Sequence, residues 1–180
     1  DTFIVTVIPV NDAPILTEIG DKSTDEDTDK TIELSASDVD IATNGQTLTF
    51  SASSSDESLV TVSTTSGDFK GSGTLTYDVQ DNQHGAANII VTVTDSEGVT
   101  DSVTFAFTVN PIADIPNISD ATTNEDVMSS SGLVIRRNAV DGVEVTHVKI
   151  TNITNGSLYQ TDGITPIFDN AFISFTQDSI

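Results

Sequence analysis

Residues 9–14, Pro-Val-Asn-Asp-Ala-Pro, form a short acidic elbow with a proline at each end. Proline fixes φ and pushes the preceding residue into extended backbone, so the elbow is stiff. Between the prolines, Asn11 and Asp12 can offer oxygen to a hard cation. A weaker copy, Pro-Ile-Ala-Asp-Ile-Pro, occupies residues 111–116 and keeps Asp114. Acidic residues fall in short clusters elsewhere too, at Asp25-Glu26-Asp27 and at Asp38-x-Asp40. Such clusters suit Ca2+, which takes six to eight oxygens at about 2.3–2.6 Å from carboxylates, carbonyls and water. The elbow reads as an inter-domain hinge whose stiffness depends on that ion.

The charge balance narrows the partners. Twenty-eight acidic residues against six basic ones leave a net charge of -22. Nucleic acid is excluded, because phosphate binding needs clustered Lys and Arg. Solubility through mutual repulsion in seawater-like salt is the alternative account of the charge. No apolar run approaches the roughly 20 residues that cross a bilayer, so membrane insertion is not expected. The N-terminus lacks the basic start and small-residue cleavage site of a signal peptide. Cysteine is absent. An acidic, Thr-rich, cysteine-free chain fits an extracellular or bacterial cell-surface setting.

The elements that must position these residues are strands. Residues 3–8 read as a strand with no partner before them, and Ile15-Leu16 begins a second. Residues 21–30 read as a polar loop. Ile32, Leu34 and Ala36 alternate on one face, as do Leu48, Phe50 and Ala52. Val60 and Val62, then Leu75, Tyr77 and Val79, continue the pattern. Residues 87–94 return, the turn at 95–98 is tight, and Val103, Phe105, Phe107 and Val109 close the set. Residues 43–46 read as a turn. Seven or eight short strands in about 100 residues predict an all-β fold, an immunoglobulin-like sandwich over residues 11–110.

An internal repeat extends this reading. Phe3, Thr6, Val7, Pro9, Asp12 and Pro14 align with Phe105, Thr108, Val109, Pro111, Asp114 and Pro116. Thr24-Asp25-Glu26-Asp27 recurs as Thr123-Asn124-Glu125-Asp126 at nearly the same spacing. Residues 1–10 are then the last strand of a preceding repeat, 11–110 a complete repeat, and 111–180 an incomplete second one. Strand pieces of the second are expected at 133–135, 143–150, 158–159 and 172–175. On this reading the chain is expected to be a window on a longer array of β-sandwich repeats joined end to end. In an alternative arrangement, residues 1–10 of one molecule complete the open repeat of the next.

These residues carry a family likeness. The elbow, Asp25-Glu26-Asp27-Thr28, Asp38-Val39-Asp40, and Val91-Thr92-Val93-Thr94-Asp95 with its Gly98 turn resemble the tandem cadherin-like repeats of giant bacterial surface adhesins. The resemblance implies Ca2+ chelated at each junction by a linker Asn/Asp, an Asp-x-Asp, an Asp after the Val-Thr-Val strand and an acidic residue from the repeat before. Carried onto this chain, the ligands are Asn11, Asp12, Asp38, Asp40 and Asp95. At the opposite pole, Glu26 would serve the next junction with Asn110 and Asp114. Asn138 and Asp141 stand where the first repeat has Asp38 and Asp40. One carboxylate is lost there and Ala113 replaces Asn11, so weaker binding is expected.

The physics of a sandwich agrees, because alternate loops emerge at one end and bring the 11–12, 38–40 and 95 segments to one pole. Carboxylates about 4 Å apart repel by roughly 1 kcal/mol in water, and by several when partly buried. Asp25, Asp27 and Asp29 read as solvated or capping residues, and Asp141-Gly142 and Asp162-Gly163 also suit plain turns.

No catalytic residue emerges. His84 lies in a turn and His147 in a strand, neither in the context of a nucleophile, and no zinc spacing or phosphate loop exists. Paired carboxylates of the glycosidase kind are compatible with the composition, but they work in a deep cleft that a narrow sandwich lacks. The chain is therefore not expected to be an enzyme. The leading reading is a structural extender supporting cell adhesion, with neighbouring repeats of the same chain as its partners. The alternatives are a module binding polysaccharide or identical repeats on other molecules, and a subunit of a self-assembling extracellular filament.

Overall fold

Alternation of apolar and polar residues is strongest between residues 30 and 110, and the strands follow it. The computed structural model describes residues 2–129 and 132–175, and the chain divides into two units, Asp1–Asn110 and Pro111–Ile180. Asp1 and residues 130, 131 and 176–180 of the segments delimited above lie outside the described residues.

The first unit runs β1 (Ile15–Leu16), β2 (Lys22–Asp25), β3 (Lys30–Ser37), α1 (Asp40–Asn44), β4 (Leu48–Ser54), β5 (Val60–Ser66), β6 (Ser72–Val79), β7 (Gly85–Asp95) and β8 (Thr100–Asn110). Two four-stranded sheets result, ordered β1-β3-β6-β5 and β2-β8-β7-β4. Their inward positions supply the core, including Leu34, Leu48, Leu75, Tyr77, Ile89, Val91, Val93, Phe105 and Phe107. Tyr77 stacks on Phe107 with centroids 4.4 Å apart and meets Phe105 edge-on at 6.4 Å. Each such side chain contributes about 1.5–3 kcal/mol by leaving water. The all-β, immunoglobulin-like sandwich expected from the alternation is the architecture of this unit.

Three local expectations are corrected. Residues 22–25 are not loop: they pair in parallel with β8, from Lys22 opposite Phe107 to Asp25 opposite Asn110. Backbone groups alone make that pairing, and only Thr24 turns inward, so the strand needs no apolar pattern. Residues 40–44 form a single helical turn, ended by Gly45 at φ 69, a conformation open to glycine. The strand expected over residues 3–8 does not form. Residues 2–10 pair with nothing described, and Phe3, Ile4 and Val7 are 87 %, 92 % and 85 % exposed. A strand needs a neighbouring strand to take its backbone hydrogen bonds, and exposed residues such as these can give theirs to water.

The second unit contains β9 (Asn117–Ile118), β10 (Ile135–Arg136), β11 (His147–Lys149), β12 (Leu158–Tyr159), β13 (Pro166–Ile167) and β14 (Phe172–Ser174). They pair as β9-β10, β11-β14 and β12-β13, all antiparallel. The strand expected over 143–150 shrinks to β11, with Val143 exposed at its approach. The β9-β10 pair repeats in small form the antiparallel β1-β3 pair of the first unit.

Candidate metal centre

The first unit's core ends in oxygen. Along β7 the inward residues are Ala87, Ile89, Val91, Val93 and then Asp95, which is 5 % exposed. Along β3 the same parity runs Leu34, Ala36 and, one step past the strand, Asp38. Ahead of β4 it runs Phe50, Leu48 and then Gln46, which is 6 % exposed. Leu48 lies opposite Asp95 in the β4–β7 register. Three strands therefore extend their inward faces by one polar residue each at the pole where the 9–14 elbow joins the domain.

Hydrogen bonds tie the elbow to this layer. The Asp12 N–H donates to Asp40 Oδ2 at 2.8 Å, and the Asp40 N–H donates to Asp38 Oδ1 at 2.8 Å. Asn11 Nδ2 donates to Asp95 Oδ2 at 2.8 Å, across 84 residues of chain. The other oxygen of Asp95 accepts the N–H groups of Val99 and Glu97 at 2.8 and 2.9 Å. The Thr43 hydroxyl donates to Asp40 Oδ1 at 3.2 Å. Gln46 Nε2 donates to Asn11 Oδ1 and, at 3.4 Å, to Glu97 Oε1. All of these donors are neutral. Two buried oxygens, Asp38 Oδ2 and Gln46 Oε1, have no hydrogen-bond partner.

The Asn11 amide beside it holds the Asp95 carboxyl below its ordinary value, with the Val99 and Glu97 N–H groups acting in the same sense against burial. An N–H aimed at a carboxylate stabilises the charged form. The donors described at the pole's carboxylates include no Lys or Arg. That is the electrostatic condition under which a cation is attracted. The carboxylates stand apart: among the described residues no group of three or more His, Cys, Asp or Glu side chains is arranged to hold a metal ion.

The other sequence-derived residues lie elsewhere. Glu26 is buried beside β8, its N–H donating to the Asn110 carbonyl at 2.9 Å and its carboxylate 3.8 Å from His84 Nδ1. Asn110 Nδ2 donates to Asp25 Oδ1 at 3.2 Å. Asp27 and Asp29 accept the N–H groups of Asn82 and Val79 at 2.7 and 3.0 Å. In the second unit, the Asp114 N–H donates to Asp141 Oδ1 at 2.7 Å, and Asp141 is 3 % exposed. Asn138 Oδ1 accepts the Val140 N–H at 3.3 Å, and its Nδ2 donates to the Ile115 carbonyl at 3.3 Å. The Asp114–Asp141 bond reproduces that of Asp12 with Asp40, whereas Asn138 accepts from Val140 and not from Asp141.

Gln46 and Glu97 did not stand out in the sequence. Gln46 sat in an expected turn and Glu97 in another. Reading the alternation of Leu48 and Phe50 backwards by one inward step would have found Gln46.

A family described as bacterial Ig domain matches residues 11–108. No curated protein matches the sequence. Among solved structures the chain is similar to the human desmocollin-1 ectodomain, at 16 % identity over 92 % of this chain and 31 % of that one, with a TM-score of 0.41. It is similar to domains 4 and 5 of the S-layer protein SbsC, at 19 % identity over 57 % and 54 %, with a TM-score of 0.37. A third is a Bacteroides ovatus protein of a mixed-linkage glucan utilization locus, SGBP-B in complex with a heptasaccharide, at 16 % identity over 98 % and 37 %, TM-score 0.33. The chain spans 31 %, 54 % and 37 % of the lengths of these three.

Proposed function

The chain belongs to the bacterial Ig domain family, and from that premise we propose that residues 11–110 are a structural extender of a secreted or surface-anchored bacterial adhesin, stiffened by Ca2+ where the elbow meets the domain. The observation that carries the reading is the pole itself. Asp38 Oδ2 is buried without a partner, beside carboxylates whose described donors are all neutral. Oxygen-only donors of this kind fit Ca2+ and not a soft metal. The residues that would hold it are Asp38, Asp40 and Asp95, with Asp12 and Asn11 from the elbow. A bound Ca2+ would supply positive charge that offsets the mutual repulsion of these carboxylates.

The consequence is mechanical. Asp12 and Asn11 already bond to Asp40 and Asp95, so a cation shared by these groups fixes the elbow to the domain, and its loss frees the elbow. Partners on this reading are neighbouring repeats of the same chain at the cell surface. Carbohydrate binding draws less support, since Tyr77, one of two tyrosines in a chain without tryptophan, is buried in the core. Among the described residues no helix is long and apolar enough to cross a membrane.

Small-angle scattering and thermal melting in EDTA and in millimolar Ca2+ test the proposal. Ca2+ should raise the melting temperature and narrow the distribution of shapes, and Asp38→Ala with Asp40→Ala should reproduce the EDTA behaviour. Identical profiles in both conditions would mean that the hinge does not depend on calcium.

A further inference from the structure

At the polar end of the core, two amides share one bond. Gln46 Nε2 donates to Asn11 Oδ1, and Asn11 Nδ2 in turn donates to Asp95 Oδ2. The Asn11 oxygen, expected from the sequence to face a cation, is therefore already engaged. The free amide oxygen belongs to Gln46: its Oε1 is buried without a hydrogen-bond partner, in a side chain 6 % exposed. The same amide points its nitrogen at Glu97 Oε1, 3.4 Å away on the Asp95 turn. Gln46 thus joins the elbow and the β7–β8 turn with its nitrogen while its oxygen is unspent.

We propose that Gln46 is a direct ligand of the cation through Oε1, and that Asn11 acts as a bridge between Gln46 and Asp95. The inference rests on the Ca2+ reading given above. Its chemistry follows from the donor set. Ca2+ accepts neutral amide oxygens alongside carboxylates. A buried carbonyl with no partner is unfavourable until it finds a donor or a cation. Asp38 Oδ2 is in the same condition; Asp38 accepts the Asp40 N–H, Asp40 accepts the Asp12 N–H, and Asn11, the covalent neighbour of Asp12, accepts from Gln46. Asn11 also links the two sides of the pole: its oxygen accepts from Gln46 and its N–H donates to Asp95 Oδ2.

Two substitutions in the full chain separate this from a positioning role. Gln46→Met keeps the volume and removes both amide atoms, whereas Gln46→Glu keeps an oxygen and removes the N–H that reaches Asn11. Calorimetric titration with Ca2+ should show Gln46→Met weakened at least roughly 10-fold, the lower end of what losing even an outer-shell partner costs a metal site. Gln46→Glu should bind at least as tightly as the unaltered chain. Circular dichroism in EDTA establishes that each variant is folded, and if Gln46→Met does not fold, Gln46→Glu decides. Unchanged affinity in Gln46→Met, or equal weakening in both variants, would overturn the ligand assignment while leaving the Ca2+ reading intact. Absence of Ca2+ binding by the unaltered chain sinks that reading, and the inference with it.

Discussion

Asp12 is bound to Asp40 through its backbone and not its side chain: the Asp12 N–H donates to Asp40 Oδ2 at 2.8 Å, which leaves the Asp12 carboxylate exposed. The bond fixes the path of the elbow over the pole without consuming its charge. Asp114 makes the same backbone bond to Asp141 at 2.7 Å, so the device recurs with a three-residue spacing between Asn138 and Asp141 in place of the two between Asp38 and Asp40. The spacing changes the acceptor's route to the linker and preserves the bond.

Asp38→Asn should change sign with calcium. The substitution keeps an oxygen to accept the Asp40 N–H and replaces the unpartnered Oδ2 with a neutral group. In EDTA it removes one negative charge from a pole that also carries Asp12, Asp40 and Asp95, so the melting temperature should stay level or rise. In Ca2+ the variant should lose most of the gain seen for the unaltered chain, a gain of about 2.7 kcal/mol when the ion is at 100 times its Kd. A variant that melts lower in EDTA yet keeps the full calcium gain would contradict both halves.

Tyr77→Phe should stabilise the domain or leave it unchanged, by 0 to roughly 1 kcal/mol, because the hydroxyl is buried without a partner. Burial raises the Tyr77 phenol far above its ordinary value of 10. The folded state holds this proton more tightly than the unfolded state. The resulting stability is fully present below pH 10 and is lost as pH climbs towards the raised value. Urea titrations between pH 9 and 12 should show an alkaline loss in the unaltered chain that is smaller in Tyr77→Phe.

Gly71→Ala should destabilise by about 1–3 kcal/mol or more. Gly71 has φ 108, and a Cβ there would lie 2.0 Å from the Ala36 carbonyl oxygen. The Gly71 carbonyl accepts the Ala36 N–H at 2.7 Å, so the backbone cannot withdraw without breaking that bond. Chemical denaturation measures the loss, and a change below 0.5 kcal/mol would show that the β3–β6 edge yields more easily than the geometry allows.

Asp162 should titrate below its ordinary value of 3.8, because the Thr165 hydroxyl and the Thr165 and Ile164 N–H groups all donate to its carboxylate. A depressed folded value contributes stability above pH 3.8 that is lost as pH falls through it. Carbon NMR of the carboxyl follows the titration directly. Thr165→Val, which removes the first of these donors, should move the midpoint back towards 3.8.

What was legible in the chain follows one physical rule. Side chains on a strand alternate sides, so Leu34, Leu48, Tyr77, Ile89 and Phe105 declare their inward faces without any knowledge of partners. β2 was hidden because Lys22–Asp25 joins β8 through backbone groups, which every residue carries alike. In the second unit, the alternation of residues 143–150 promised more strand than formed, because pairing extends only where β14 provides a partner, from His147 to Lys149.

The same division applies to the candidate metal centre. Residue types and order alone determined that the elbow is stiff and that oxygen clusters at 11–12, 38–40 and 95. Only the tertiary structure decided which of those oxygens are free. The β4–β7 register sets Leu48 opposite Asp95, and the sandwich brings Asn11 to a residue 84 positions away. Gln46 lies at the same pole for that reason. Its type says nothing about a cation, but its inward position puts an unpartnered oxygen among carboxylates, and hydrogen bonding is a property of neighbours that the chain acquires on folding.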